Sequence, residues 1–145
     1  MSHWSRPFWR LAREMKKELQ FRHIYRKYQK YTMIGPKSYA GNLHLAAKVA
    51  GVSGSIVECG TWRGGMIAGI ADVLGDDRQY YLCDSFEGLP PAKEIDGPAA
   101  LAWQADTASP GHHNNCTASV EEARCAMVLS KARNFTILKG WFEST

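Results

Sequence analysis

The eleven residues Ser55 to Gly65, reading Ser-Ile-Val-Glu-Cys-Gly-Thr-Trp-Arg-Gly-Gly, constrain this chain more than any others. The β-branched start reads as a short buried strand, and the glycines lead into Met66 to Leu74, whose apolar spacing reads as a helix. Strand, glycine turn and helix in that order form the first crossover of a nucleotide-binding α/β sheet. Glycine suits the turn because the backbone must bend sharply at the strand's carboxyl end and let a ligand come close. The helix that follows offers its unpaired N–H groups to that ligand.

The spacing also restricts the ligand. A dinucleotide loop reads G-x-G-x-x-G, whereas this one reads G-x-x-x-G-G and puts Trp62 where a pyrophosphate would need a glycine. That disfavours NAD, and the absence of G-K-[ST] excludes a Walker phosphate loop. Glu58, just before the first glycine, suits a ligand with a cationic amino-acid part, such as S-adenosylmethionine. A turn that merely packs a helix on a sheet is the plainer alternative.

Gln79 to Asp84 is a second strand pattern, ending in an acid a little over twenty residues after Gly60. A carboxylate there can accept hydrogen bonds from both hydroxyls of a ribose. It runs on into Ser85-Phe86-Glu87-Gly88-Leu89-Pro90. Together with Val57-Glu58-Cys59-Gly60-Thr61-Trp62-Arg63-Gly64-Gly65 and Lys139-Gly140-Trp141-Phe142, this stretch resembles the macrocin O-methyltransferase family (TylF/MycF type). The resemblance runs from about Tyr31 to the last residue.

It implies a Rossmann-like class I methyltransferase sheet and methyl transfer from S-adenosylmethionine to a hydroxyl of a small molecule, such as a sugar of a secondary metabolite. It places Glu58, Gly60, Arg63, Gly64 and Gly65 around the methionine part, with Asp84 and Ser85 at the ribose. Gly140, Trp141 and Phe142 fall on the adenine side, on the expectation that the loop after the third strand lies beside the first crossover. Tyr31 and Met33 would help cover the site, although both also read as packing residues at a helix boundary. A divalent metal, Mg, is expected from the family, but its aspartates are not in this sequence. The general base is likewise unassigned.

The chain has 145 residues, 45% of them hydrophobic, enough for one globular core. A full sheet of this class needs roughly seven strands, and at about 30 residues per βαβ unit there is room for three or four. The expected architecture is therefore α/β, a Rossmann-like sheet that stops after its third strand, with residues 1–36 as a helical extension and lid and 37–145 as the N-terminal part of the cofactor-binding domain. A non-catalytic nucleoside-binding or interaction module remains the rival reading.

Residues 1–39 hold ten Lys/Arg against Glu14 and Glu18, a net +8, and the remainder carries −4. In the same segment Trp4, Phe8, Leu11, Met15 and Leu19 recur at spacings of three and four, an amphipathic helical stripe. The simplest reading docks this stripe on the domain or on a second copy of the chain. An anionic membrane surface and nucleic-acid phosphates are the other two. On the simplest reading no nucleic acid partner is expected. There is no run of apolar residues long enough to span a membrane.

Cys59, Cys83, Cys116 and Cys125 form no C-x-x-C pair and read as reduced thiols of a cytoplasmic protein. Adjacent parallel strands would bring Cys59 and Cys83 together, each as a buried thiol. Thr32 to Pro36 breaks the helix before it, and Lys37 to Val52 has helical spacing ended by Gly51. Beyond Asp84 little periodicity returns until Ser119, as in a lid or substrate loop. His112 and His113 lie there, and in extended backbone they would point opposite ways. One of them meeting the substrate is an open alternative to a polar surface loop. Thr117 or Ser119 caps a helix expected to run to about Ala132, and Asn134 to Gly140 is the third strand.

Overall fold

The computed structural model describes residues 8–143. Five α-helices and three strands follow one another as α1 (Phe8–Tyr28), α2 (Pro36–Lys48), β1 (Ile56–Cys59), α3 (Gly65–Leu74), β2 (Gln79–Asp84), α4 (Pro98–Ala105), α5 (Val120–Leu129) and β3 (Asn134–Lys139). The strands form one parallel sheet in the order β1-β2-β3. β3 therefore pairs with β2 and not with β1. The loop after β3 lies beside the end of β2, where Gly140 N–H donates to Asp84 O (2.9 Å), rather than beside the first crossover as the sequence suggested.

Register sorts the sheet into two faces. Ile56, Glu58, Tyr80, Leu82, Phe135 and Ile137 share the face that α3 and α5 cover, and Tyr80 and Leu82 are wholly buried there. The opposite face carries Val57, 58% exposed, and Leu138, 40% exposed, and no described element covers it. Cys59 and Cys83 are register partners on this open face, as adjacent strands require. Their expected burial is corrected, because Cys59 is exposed and Cys83 only half-buried.

The covering helices come close because they present small residues. Ala68, Ala71, Ala123 and Ala126 are fully buried between α3, α5 and the sheet. A Cβ on Gly69 would collide with the hydroxyl of Tyr39, which donates to Gly65 O (2.7 Å) and ties α2 to the start of α3. The helix before Thr32 to Pro36 ends there as expected, and Pro36 opens α2 at the first helical position, where its missing N–H costs nothing.

The apolar stripe of α1 departs from expectation. The helix docks through Phe21, Ile24 and Tyr28, while Phe8, Leu11, Met15 and Leu19 lie exposed on its other side. Trp4 lies outside the described residues. The docked end is bolted by Asp72 of α3, a buried carboxylate that accepts from Lys27 Nζ (2.7 Å), Tyr28 Oη (3.0 Å) and Lys131 N (3.0 Å). Burial and the Asp72 charge hold the Tyr28 hydroxyl well above its ordinary range.

α5 begins as its sequence suggests, with a reciprocal cap between Ser119 and Glu122. It ends at Leu129, short of Ala132, because Ser130 turns and Lys131 gives its N–H to Asp72. The stretch from Ser85 to Ala118 is less irregular than its weak periodicity implied. Gly97 and Pro98 start α4, whose alanines favour helix without marking a face. His113, Asn114, Asn115 and Cys116 all have φ between 48° and 59°, so this short run turns with the left hand.

Candidate functional site

The carboxyl ends of all three strands open on one cavity of about 430 Å³, within the size range of small-molecule sites. Gly60, Asp84, Ser85, Gly140, Trp141 and Phe142 all border it. A smaller cavity of about 80 Å³ adjoins it, bordered by Tyr31 and Glu58, and Met33, Gly60 and Trp62 border both. Nine of the residues singled out from sequence thus meet at this rim.

Arg63, Gly64 and Gly65 border neither cavity. The Arg63 guanidinium lies over the Trp62 ring (4.4 Å), and its Nε stands 2.9 Å from Glu122 Oε1 at the start of α5, close enough to pair as charges though off the line of a hydrogen bond. A Cβ on Gly65 would stand 2.5 Å from Tyr31 O, and one on Gly64 would press on the Ala123 backbone at 3.1–3.2 Å. These two glycines let α3 start flush against its neighbours. Gly60 shares the left-handed φ of Gly64, 78° against 77°, but a Cβ there would meet no protein atom within 4 Å.

Asp84 braces the loop. Its Oδ2 accepts from Trp62 N (2.7 Å) and its Oδ1 from Phe86 N (2.8 Å), so one carboxylate holds the glycine loop and the loop after β2 in register. Each oxygen keeps a further lone pair for a ligand hydroxyl. Trp62 itself sits at φ 51°, a costly conformation for a bulky residue. It is held there by Asp84, by its own Nε1–H to Thr117 O (3.1 Å), by the Arg63 guanidinium over its ring and by the edge contact of the His113 ring, 5.7 Å away. Trp62 was missed as a site residue. A bulky side chain within a glycine loop was the signal available.

Glu58 has the opposite surroundings. Its Oε2 is sealed from solvent without a hydrogen-bond partner. Burial pushes the carboxyl up to about 8, the N–H of Ile67 opposes that, and the Asp84 charge adds to it. A cationic group delivered to the small cavity would meet the one thing this carboxyl lacks.

The left-handed turn closes the far side. Asn115 O accepts from Leu89 N (3.0 Å) while Asn115 Nδ2 donates to Leu89 O (2.7 Å), which fixes the Gly88 to Pro90 rim of the large cavity. A Cβ on Gly88 would stand 2.5 Å from Asn115 O, so glycine is required for this approach. The two histidines do not flank an extended chain. His112 is buried, stacks on Trp103 (5.0 Å) and accepts from Asn115 N at Nδ1 (3.0 Å), a structural use of the ring. Cys116 borders the large cavity, its thiol raised by burial and by Asp84. Among the described residues no group of three His, Cys, Asp or Glu could hold a metal ion.

Residues 11–145 match the family model described as macrocin-O-methyltransferase (TylF). The chain belongs to the macrocin O-methyltransferase family. It is 32% identical over 128 residues to the demethyldecarbamoylnovobiocin O-methyltransferase of Streptomyces niveus, which covers 79% of this chain and 45% of that protein. The solved structure of the O-methyltransferase NovP superposes with a TM-score of 0.56 at 30% identity, over 79% of this chain and 49% of the other. As a macrocin O-methyltransferase family member, the chain spans about half the length of the relatives it matches. The α/β sheet with its helical N-terminal segment is that of this family.

Proposed function

We propose that this chain is the cofactor-binding part of an S-adenosylmethionine-dependent O-methyltransferase acting on a hydroxyl of a small molecule. The observation that carries the reading is the pair of strand-end carboxylates bordering two joined cavities, one braced with spare acceptors and one buried without a partner. Asp84 accepts from the ribose hydroxyls, with Ser85 beside it, and Glu58 faces the ammonium of the methionine part next to Gly60. Gly140, Trp141 and Phe142 border the adenine side. Tyr31 and Met33, from the segment between α1 and α2, cover the methionine end. Arg63, Gly64 and Gly65 serve by shaping the loop, not by touching the ligand.

When bound, S-adenosylmethionine supplies an electrophilic methyl on its sulfonium. The protein's own task is to orient it and to keep water from it. The family resemblance brings a divalent metal into the expectation. Among the described residues no cluster of His, Cys, Asp or Glu fits one. The segment up to residue 36, helical over Phe8–Tyr28, acts as an extension and cover for the domain that starts at residue 37. The exposed stripe of α1 fits pairing with a second copy of the chain. Four unbonded cysteines fit a cytoplasmic setting, and no described helix is long and apolar enough to cross a membrane.

Calorimetric titration of the chain with S-adenosylhomocysteine, alongside NADH, tests the reading. Micromolar binding of S-adenosylhomocysteine that Asp84→Ala abolishes is expected, with no heat from NADH. Preference for NADH, or no binding by a chain folded by circular dichroism, would replace the enzyme reading with a different cofactor or with an interaction module.

A further inference from the structure

Glu58, the last residue but one of β1, carries a carboxyl whose Oε2 is sealed from solvent and unpartnered. Among the described residues, the donor that acts on the carboxyl is the N–H of Ile67 in the first turn of α3. From β2 it faces the charge of Asp84, from α2 the hydroxyl of Tyr39, and Tyr31 borders the same small cavity. The loop's own cation, Arg63, is turned away to Glu122 of α5. An anion in such a place has lost its water and gained too few donors, so the neutral acid is the form the surroundings favour.

Resting on the reading of this site as that of S-adenosylmethionine, we propose that Glu58 holds a proton in the free protein and releases it when the cofactor's cationic amino-acid end arrives. Cofactor binding and loss of one proton are then a single event. The balance is simple: the carboxyl O–H bond breaks, the proton goes to solvent, and the carboxylate formed pairs with the ammonium, with no other bond changed. The burial that holds the free carboxyl near 8 makes the acid the resting form at neutral pH. Below that value each unit of rising pH removes a proton that binding would otherwise have to displace, and affinity rises roughly tenfold per unit.

Titration with S-adenosylhomocysteine between about pH 6 and about pH 7.5, in two buffers of different ionisation heat, counts the protons released. Infrared difference spectra of the free and bound chain read the carboxyl directly. Expected are close to one proton released per ligand, affinity rising roughly tenfold per pH unit, and a protonated-carboxyl band in the free protein that disappears on binding. Glu58→Gln, of the same shape and neutral at every pH, is expected to fold and to bind weakly, with no proton release, no pH slope and no such band. Binding by the wild type that is flat with pH and releases no proton would overturn the coupling while leaving the cofactor reading intact. A protonated-carboxyl band unchanged in Glu58→Gln would overturn it as well. Failure of S-adenosylhomocysteine to bind at any pH would remove the cofactor reading and the coupling together.

Discussion

Glu58 and Asp84 lie at or next to the carboxyl ends of neighbouring parallel strands and border joined cavities, yet they live in opposite conditions. Asp84 accepts one backbone N–H on each oxygen and stitches two loops together, whereas Glu58 has a sealed oxygen that accepts none. The difference teaches that donors, more than depth, decide whether a carboxylate is a brace or a latent charge. Asp72 marks one limit of the comparison: it is buried, and yet Lys27 and Tyr28 of α1 and the Lys131 N–H after α5 supply it with donors.

Removing that fully partnered carboxylate should have the largest effect. Asp72→Ala strands Lys27 and frees the end of α1 from α3 and α5, at an expected cost of about 3–5 kcal/mol. Chemical denaturation would show it as a lowered midpoint, and a loss under 1 kcal/mol would mean that donors count for less than proposed here.

Glu58 should respond with the opposite sign. Its folded-state value of about 8 lies above the ordinary 4.5, so the folded chain holds a proton that the unfolded chain has already lost. The stability this lends is fully present below 4.5 and is lost as pH rises to about 8. Glu58→Gln escapes that loss. Thermal melts should find it close to wild type near pH 4.5 and more stable by an order of 3 kcal/mol near pH 8, the gap opening steadily between. A gap that does not change with pH would erase the contrast with Asp84.

Asp84→Asn should move least. The amide keeps one acceptor for one loop N–H and turns a donor towards the other, for about 1–2 kcal/mol. Amide exchange at Trp62 and Phe86 would locate the damage, faster at one of the two and unchanged in the core strands. Equal protection at both would say that the brace is not what holds the loop.

The elements that carry this comparison were legible because each is local. The β-branched run at Ile56 and Val57, the acid at each strand end and the Ser119 cap with Glu122 act within a few residues, and periodicity reveals them. What escaped was non-local. Gly64 and Gly65 look like ligand-approach glycines until Ala123 and Tyr31, distant in sequence, occupy the space their Cβ atoms would need. Arg63 looks like a ligand residue until Glu122 is found beside it. The exposure of Phe8, Leu11, Met15 and Leu19 was hidden for a related reason, since a stripe records that a face is apolar and not which element meets it. The left-handed turn at 113–116 had a faint local signal in Asn114 and Asn115, residues that tolerate positive φ, but its partner Leu89 lies outside that stretch.

By itself the sequence determined the kinds and order of the elements, the parallel crossovers they demand, and the two acids at the strand ends, since backbone preference and side-chain period operate over a few residues. Only the tertiary structure decided that β3 lies beyond β2, that Asp84 braces the loop through Trp62, and that Glu58 is left without a partner. Those outcomes depend on which donors and which backbone reach a given point in space, and that is settled when the helices close on the sheet.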